Sequence, residues 1–134
     1  MVQTQKATNF AYNLCAGLLY ANTYYVVPDN GVMTAYDVNT NTMGLEVNVS
    51  GFGRQAGTKT VINTNAALMD TAQIFYLYTA NANQNLNGHC IVNNTTNGNG
   101  NYNMLAWCQY AATQPMQNTD TINCITQFQF EIGV

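Results

Sequence analysis

Charge is what this sequence has least of. Asp, Glu, Lys and Arg together make up 7% of it, against about 25% in an average soluble domain. Three side chains are cationic: Lys6, Arg54 and Lys59. Neutralising a run of phosphates takes several such groups, so the composition argues against nucleic acid as a partner and against an anionic membrane surface. A single histidine, His89, argues against multi-His metal sites. The four cysteines, Cys15, Cys90, Cys108 and Cys124, contain no Cys-x-x-Cys pair, so no zinc spacing is present. No apolar run approaches the roughly 20 residues of a transmembrane helix, and membrane insertion is not expected. Calcium-loop spacing is missing. Gly51, Gly53 and Gly57 do not make a phosphate loop, because none of them is followed directly by Lys-Ser/Thr. No cofactor is expected. The start, Met-Val-Gln-Thr-Gln-Lys, has no apolar stretch behind a basic one. The expectation is therefore a mature secreted chain with an added Met1, or a protein made without a signal.

What the chain does hold is apolar and amide-rich. Hydrophobic residues are 47% of 134, an ordinary globular value that fits one domain over 1–134 with its own core. About one residue in six is Asn, and nine Tyr add polar-tipped aromatic area. A net charge of −3 gives little repulsion between copies. Such a surface permits close protein–protein contact at small desolvation cost.

The most legible stretch runs from Gly88 to Tyr110. Two apolar segments flank a loop with Asn97-Gly98 and Asn99-Gly100, the chemistry of a hairpin turn. Folding about Asn99 sets Cys90 opposite Cys108, Ile91 opposite Trp107 and Val92 opposite Ala106. Directly opposite residues share a face, so a Cys90–Cys108 disulfide is expected in an oxidising compartment. Cys15 is then left to pair with Cys124. Four reduced, buried thiols are the alternative.

Elsewhere the pattern is mostly strand. Phe10, Leu14, Cys15 and Leu18 have helical spacing after Thr8 or Asn9, which predicts a short N-terminal helix, with an extended arm as the alternative. Thr23–Val27 reads as a strand, Pro28–Gly31 as a turn, and Val32–Val38 as the return strand. Met43–Ser50 alternates apolar and polar residues and reads as a half-buried strand. Thr58–Asn63 is a short strand, Asn65–Asp70 one helical turn, and Ile74–Tyr78 a central strand. Asn81–Asn87 and 111–120 read as connections. The last segment puts Ile122, Cys124, Thr126, Phe128, Phe130, Ile132 and Val134 on one face. About eight strands with turn signals between them predict a mainly β fold, an antiparallel β-sandwich or barrel.

No catalytic constellation is visible. His89 and Cys90 are neighbours in a strand and point to opposite faces, so they do not form a nucleophile–base pair. The carboxylates Asp29, Asp37, Glu46, Asp70, Asp120 and Glu131 are scattered, though a fold can unite two of them. Trp107 reads first as core; on a wet face it would stack on a sugar ring. Asn48, Asn93 and Asn94 match the glycan-acceptor pattern, which arises by chance in a chain rich in Asn and Thr.

The expectation is a non-enzymatic structural subunit that assembles with copies of itself. Its setting would be an extracellular filament, a surface appendage or a viral shell. The candidate assembly segments hold Phe10, Leu14 and Leu18 at one end and Phe128, Phe130 and Ile132 at the other, poised for strand addition. The alternative is a lectin-like module binding glycans through Trp107.

Overall fold

The computed structural model describes residues 17, 21–31, 45–62, 71–93 and 104–129. They form seven strands: β1 Tyr25–Asp29, β2 Gln55–Ala56, β3 Thr58–Ile62, β4 Thr71–Thr79, β5 Gln84–Val92, β6 Met104–Met116 and β7 Thr121–Gln129. All described pairings are antiparallel. One sheet has the order β2-β1-β5-β6 and the other β3-β4-β7. This is a mainly β arrangement consistent with a sandwich; among the described residues there is no closed barrel, and seven strands stand where about eight were expected.

The core lies between the sheets. Val26 and Tyr24 from the β1 side, Leu86 and Ile91 from β5, Ala72, Ile74 and Tyr78 from β4, and Cys124 from β7 are all buried there. The alternation that marks β4 and β7 follows from this placement, since every second residue of each strand faces the apolar interior. A smaller cluster of Val27, Cys90 and Val92 is buried on the other face of the four-stranded sheet.

Two turns show their sequence causes. Val49–Phe52 closes with a Phe52 N–H to Val49 carbonyl bond of 3.0 Å, with Ser50 at φ 61° and Gly51 at φ 88°. Two positive φ values mark a type I′ turn. A Cβ on Gly51 would lie 2.4 Å from the Thr79 carbonyl oxygen, so the position requires glycine. Between β2 and β3 the chain leaves one sheet for the other within one residue, Gly57.

Several sequence expectations need correction. The hairpin register is one residue off the expected one: His89 faces Cys108, Cys90 faces Trp107 and Ile91 faces Ala106. A second irregularity then skips Leu105, so Val92 faces Met104. A one-residue slip turns every side chain to the opposite face. Cys90 therefore lies on the outer face and Cys108 on the inner one; Cys90, Cys108 and Cys124 are free thiols. Met43–Ser50 is not a strand in its described part, 45–50, which makes one isolated bridge, Asp29 to Glu46. Pro28 explains the stop. Its carbonyl accepts Val47 N–H at 2.9 Å, but proline has no N–H to return the bond. Nor is Pro28–Gly31 wholly a turn, because β1 continues through Asp29. The two polar stretches read as connections are largely strand: β5 starts at Gln84, and β6 runs to Met116, leaving a tight turn at 117–120. The N-terminal helix or arm, Val32–Val38 and Asn65–Asp70 lie outside the described residues, apart from Gly17, whose carbonyl accepts Ala21 N–H at 3.2 Å.

Candidate functional site

Of the residues singled out from sequence, Phe10, Leu14, Cys15, Leu18, Phe130 and Ile132 lie outside the described region. Phe128 is half-buried and packs against the core from β7. Its inward face serves the chain's own sheet. Trp107 stands on the outer face of β6, 39% exposed, so it is not the core residue first expected. The remaining chemistry gathers at four places.

The first is a polar tie between the sheets. His89 is 2% exposed and both its ring nitrogens are engaged. Nδ1 lies 2.9 Å from the Tyr110 hydroxyl and Nε2 2.9 Å from Thr126 Oγ1. The Tyr110 hydroxyl is also 3.2 Å from Cys124 Sγ. The chain of contacts links β5 and β6 of one sheet to β7 of the other. Burial pushes the His89 pKa down to about 4, so the ring is neutral at physiological pH. Burial pushes the Cys124 thiol up to about 11, with the Tyr110 hydrogen bond acting the other way. Burial also raises Tyr110 far above its ordinary value. A neutral thiol at 0% exposure, separated from the imidazole by a tyrosine hydroxyl, is suited to joining sheets and not to attacking a substrate.

The second is a buried ion pair. Arg54 forks onto Glu46, Nε to Oε1 and Nη2 to Oε2, both at 2.8 Å. Asp29 faces Glu46 across the isolated bridge, buried, with Oδ1 accepting Gly31 N–H. In a chain with so few charges, three of them meet here. Their separation by up to 25 positions hid the cluster from sequence reading. The signal available was Arg54 itself, a lone cation between glycines that a buried carboxylate would need. Nearby, burial raises the Cys90 thiol pKa, with Asp29 and Glu46 adding to the effect.

The third is a surface cleft of about 300 Å³ where β5 and β6 lose register. Four residues of β6, Tyr110 to Thr113, stand opposite Asn87 alone. Asn87 bridges the gap, donating to the Asn30 carbonyl at 2.7 Å and accepting from Thr113 Oγ1 at 2.6 Å. Gln109, Ala111 and Ala112 complete a lining without charge. Gln109 and Trp107 are two residues apart on one strand and share its outer face.

The fourth is the outer face of β3-β4-β7. Thr58 and Thr60, Phe75 and Leu77, Asn123, Ile125 and Gln127 all face outward, and no outward position of these strands holds a charged side chain among the described residues. Leu77 is 59% and Ile125 41% exposed. Lys59, the cation of β3, points the other way and donates to the Asn22 carbonyl at 2.9 Å.

Among the described residues, no three His, Cys, Asp or Glu side chains converge to hold a metal ion, and no helix is long and apolar enough to cross a membrane. No family model, curated protein or solved structure matches the chain.

Proposed function

We propose that this chain is a non-enzymatic structural subunit that assembles with copies of itself, in an extracellular filament, a surface appendage or a viral shell. The observation that carries the reading is the uncharged outer face of β3-β4-β7, with Leu77 exposed on its central strand and Ile125 exposed midway along β7. Soluble sheets ordinarily scatter charge over such faces and edges to prevent sheet-to-sheet contact. Here the polar positions are Thr, Asn and Gln, which can pair with the same groups on another copy. Covering a leucine or isoleucine side chain contributes roughly 1.5–3 kcal/mol, and no ion needs to be desolvated to gain it. Size-exclusion chromatography with light scattering, with electron micrographs of the same sample, tests the reading. Masses at multiples of 14.7 kDa, or polymers and shells, are expected. A monomer that persists on concentration would sink it.

A second reading rests on the cleft beside Trp107. A neutral lining of Asn87, Gln109 and Thr113 next to an exposed indole suits a hydroxyl-rich, uncharged ligand such as a glycan. Titrating sugars while following Trp107 fluorescence tests it; an unchanged spectrum across a broad glycan panel refutes it.

A further inference from the structure

We propose that two copies join edge to edge through β7, antiparallel about a twofold axis at Ile125, and so fuse two three-stranded sheets into one of six. The inference rests on the assembly reading and names its interface.

Four strands lie at sheet edges among the described residues, and three of them carry guards. β2 is two residues long. β3 holds Lys59. β6 holds Pro115 and two breaks of register. Short strands, lysine, proline and bulges are the devices that keep an edge from templating another strand. β7 has none of them. Its sequence, Thr-Ile-Asn-Cys-Ile-Thr-Gln-Phe-Gln, lacks charge, proline and glycine. It runs beside β4 for nine residues without a register shift, so among the described residues its other side carries a straight row of backbone donors and acceptors, at which the Ile125 backbone also meets the His89 ring. Among the described residues β4 is its one neighbour.

The occupant follows from β7's own pattern. Paired with itself about Ile125, β7 sets Ile125 against Ile125 of the second copy. Outward-facing Asn123 meets Gln127, and inward-facing Ile122 meets Phe128. Amide meets amide, and apolar meets apolar, on the correct faces. Moving the centre one residue back brings Asp120 opposite Phe128. Moving it one forward sets Ile125 against Gln127. The centred register leaves one mixed pair, Cys124 with Thr126, and a twofold pairing of this kind is a closed, isologous contact.

The test uses the full chain carrying Ile125→Cys, at an exposed position, treated with a short bis-maleimide. Each thiol adds across one maleimide double bond, so no oxidant is needed. At the axis the two introduced side chains are direct cross-strand neighbours. Asn123→Cys serves as the control, because its two copies are about 14 Å apart along the strands. Expected is about tenfold more covalent dimer from Ile125→Cys than from Asn123→Cys or the parent chain. Ile125→Lys, which sets two ammonium groups face to face, should raise the dimer dissociation constant at least about tenfold with an unchanged circular dichroism spectrum. If light scattering finds oligomers but the two cysteine variants crosslink equally, the β7 interface is overturned and assembly stands. If every variant and the parent are monomers, the assembly reading itself has failed.

Discussion

Both ring nitrogens of His89 lie against hydroxyls at 2% exposure, and protonation would place a charge where little solvent can stabilise it. The folded pKa, about 4, lies below the ordinary 6.5. The unfolded chain therefore binds more protons between those values, and the stability due to neutral His89 is complete above pH 6.5 and is lost as the pH falls toward and through 4. Urea unfolding should show a loss of about 2 kcal/mol between pH 7.5 and pH 5 from this residue. His89→Gln should be less stable at neutral pH yet nearly flat across that interval; a parent-like slope in the variant would assign the acid sensitivity elsewhere. Tyr78 makes a second tie between the sheets. Its hydroxyl lies 2.7 Å from both the Val26 and the Gly53 carbonyl oxygens, in the core. Tyr78→Phe leaves both acceptors without that proton and should cost about 1–3 kcal/mol in the same unfolding measurement. Neither tie was legible from sequence. His89 could be placed on the face opposite Cys90 by strand alternation, but its partners lie 21 and 37 residues away. The disulfide expectation failed for a related reason. The loop is rich in Asn and Gly throughout, and nothing local chooses between registers that differ by one residue.

Gly57 sets the scale of the elements. It ends β2, begins the step to β3, and its N–H donates to the Tyr24 carbonyl at 2.9 Å. A Cβ there would lie 2.4 Å from Ile74 Cγ2 and 3.2 Å from Val26 Cγ2, side chains of opposite sheets. Gly57→Ala should therefore push the sheets apart at the corner and cost about 1–3 kcal/mol. Gly53→Ala, at a glycine with open space around the Cβ but φ of 157°, is the milder comparison. If thermal unfolding shifts equally for both, crowding at the corner is not the cause. Strands with a strong apolar signal were readable: β7 announces itself by alternation, and the centre of β4 by a short run apolar on both faces. Polar strands were not. Gln84–Leu86 and Gln114–Met116 look like loops because much of their side-chain surface is wet, and their strand state comes from pairing with each other. Conversely, Met43–Ser50 has a strand's alternation, but the neighbouring Pro28 cannot sustain a ladder with it.

At the scale of the whole molecule, composition foretold more than any motif. The shortage of charge was plain, and the fold spends what there is economically: Glu46, Arg54 and Asp29 are concentrated on the four-stranded sheet, leaving the other sheet's outer face bare. That segregation was invisible in the sequence because it depends on which strands share a sheet. It also has a consequence that distinguishes this kind of association from a charge-steered one. Contacts between exposed charges weaken as the Debye length shrinks from about 30 Å at 0.01 M salt to about 3 Å at 1 M. A contact made by Leu77, Ile125, Thr, Asn and Gln has no such dependence. Light scattering across that range of sodium chloride should therefore give dissociation constants within about threefold of one another. Sodium sulfate, which strengthens apolar burial by exclusion from protein surface, should shift the equilibrium toward the assembled form. Dissociation by sodium chloride alone would instead mean that the interface runs through exposed charges, and the uncharged sheet would lose its role.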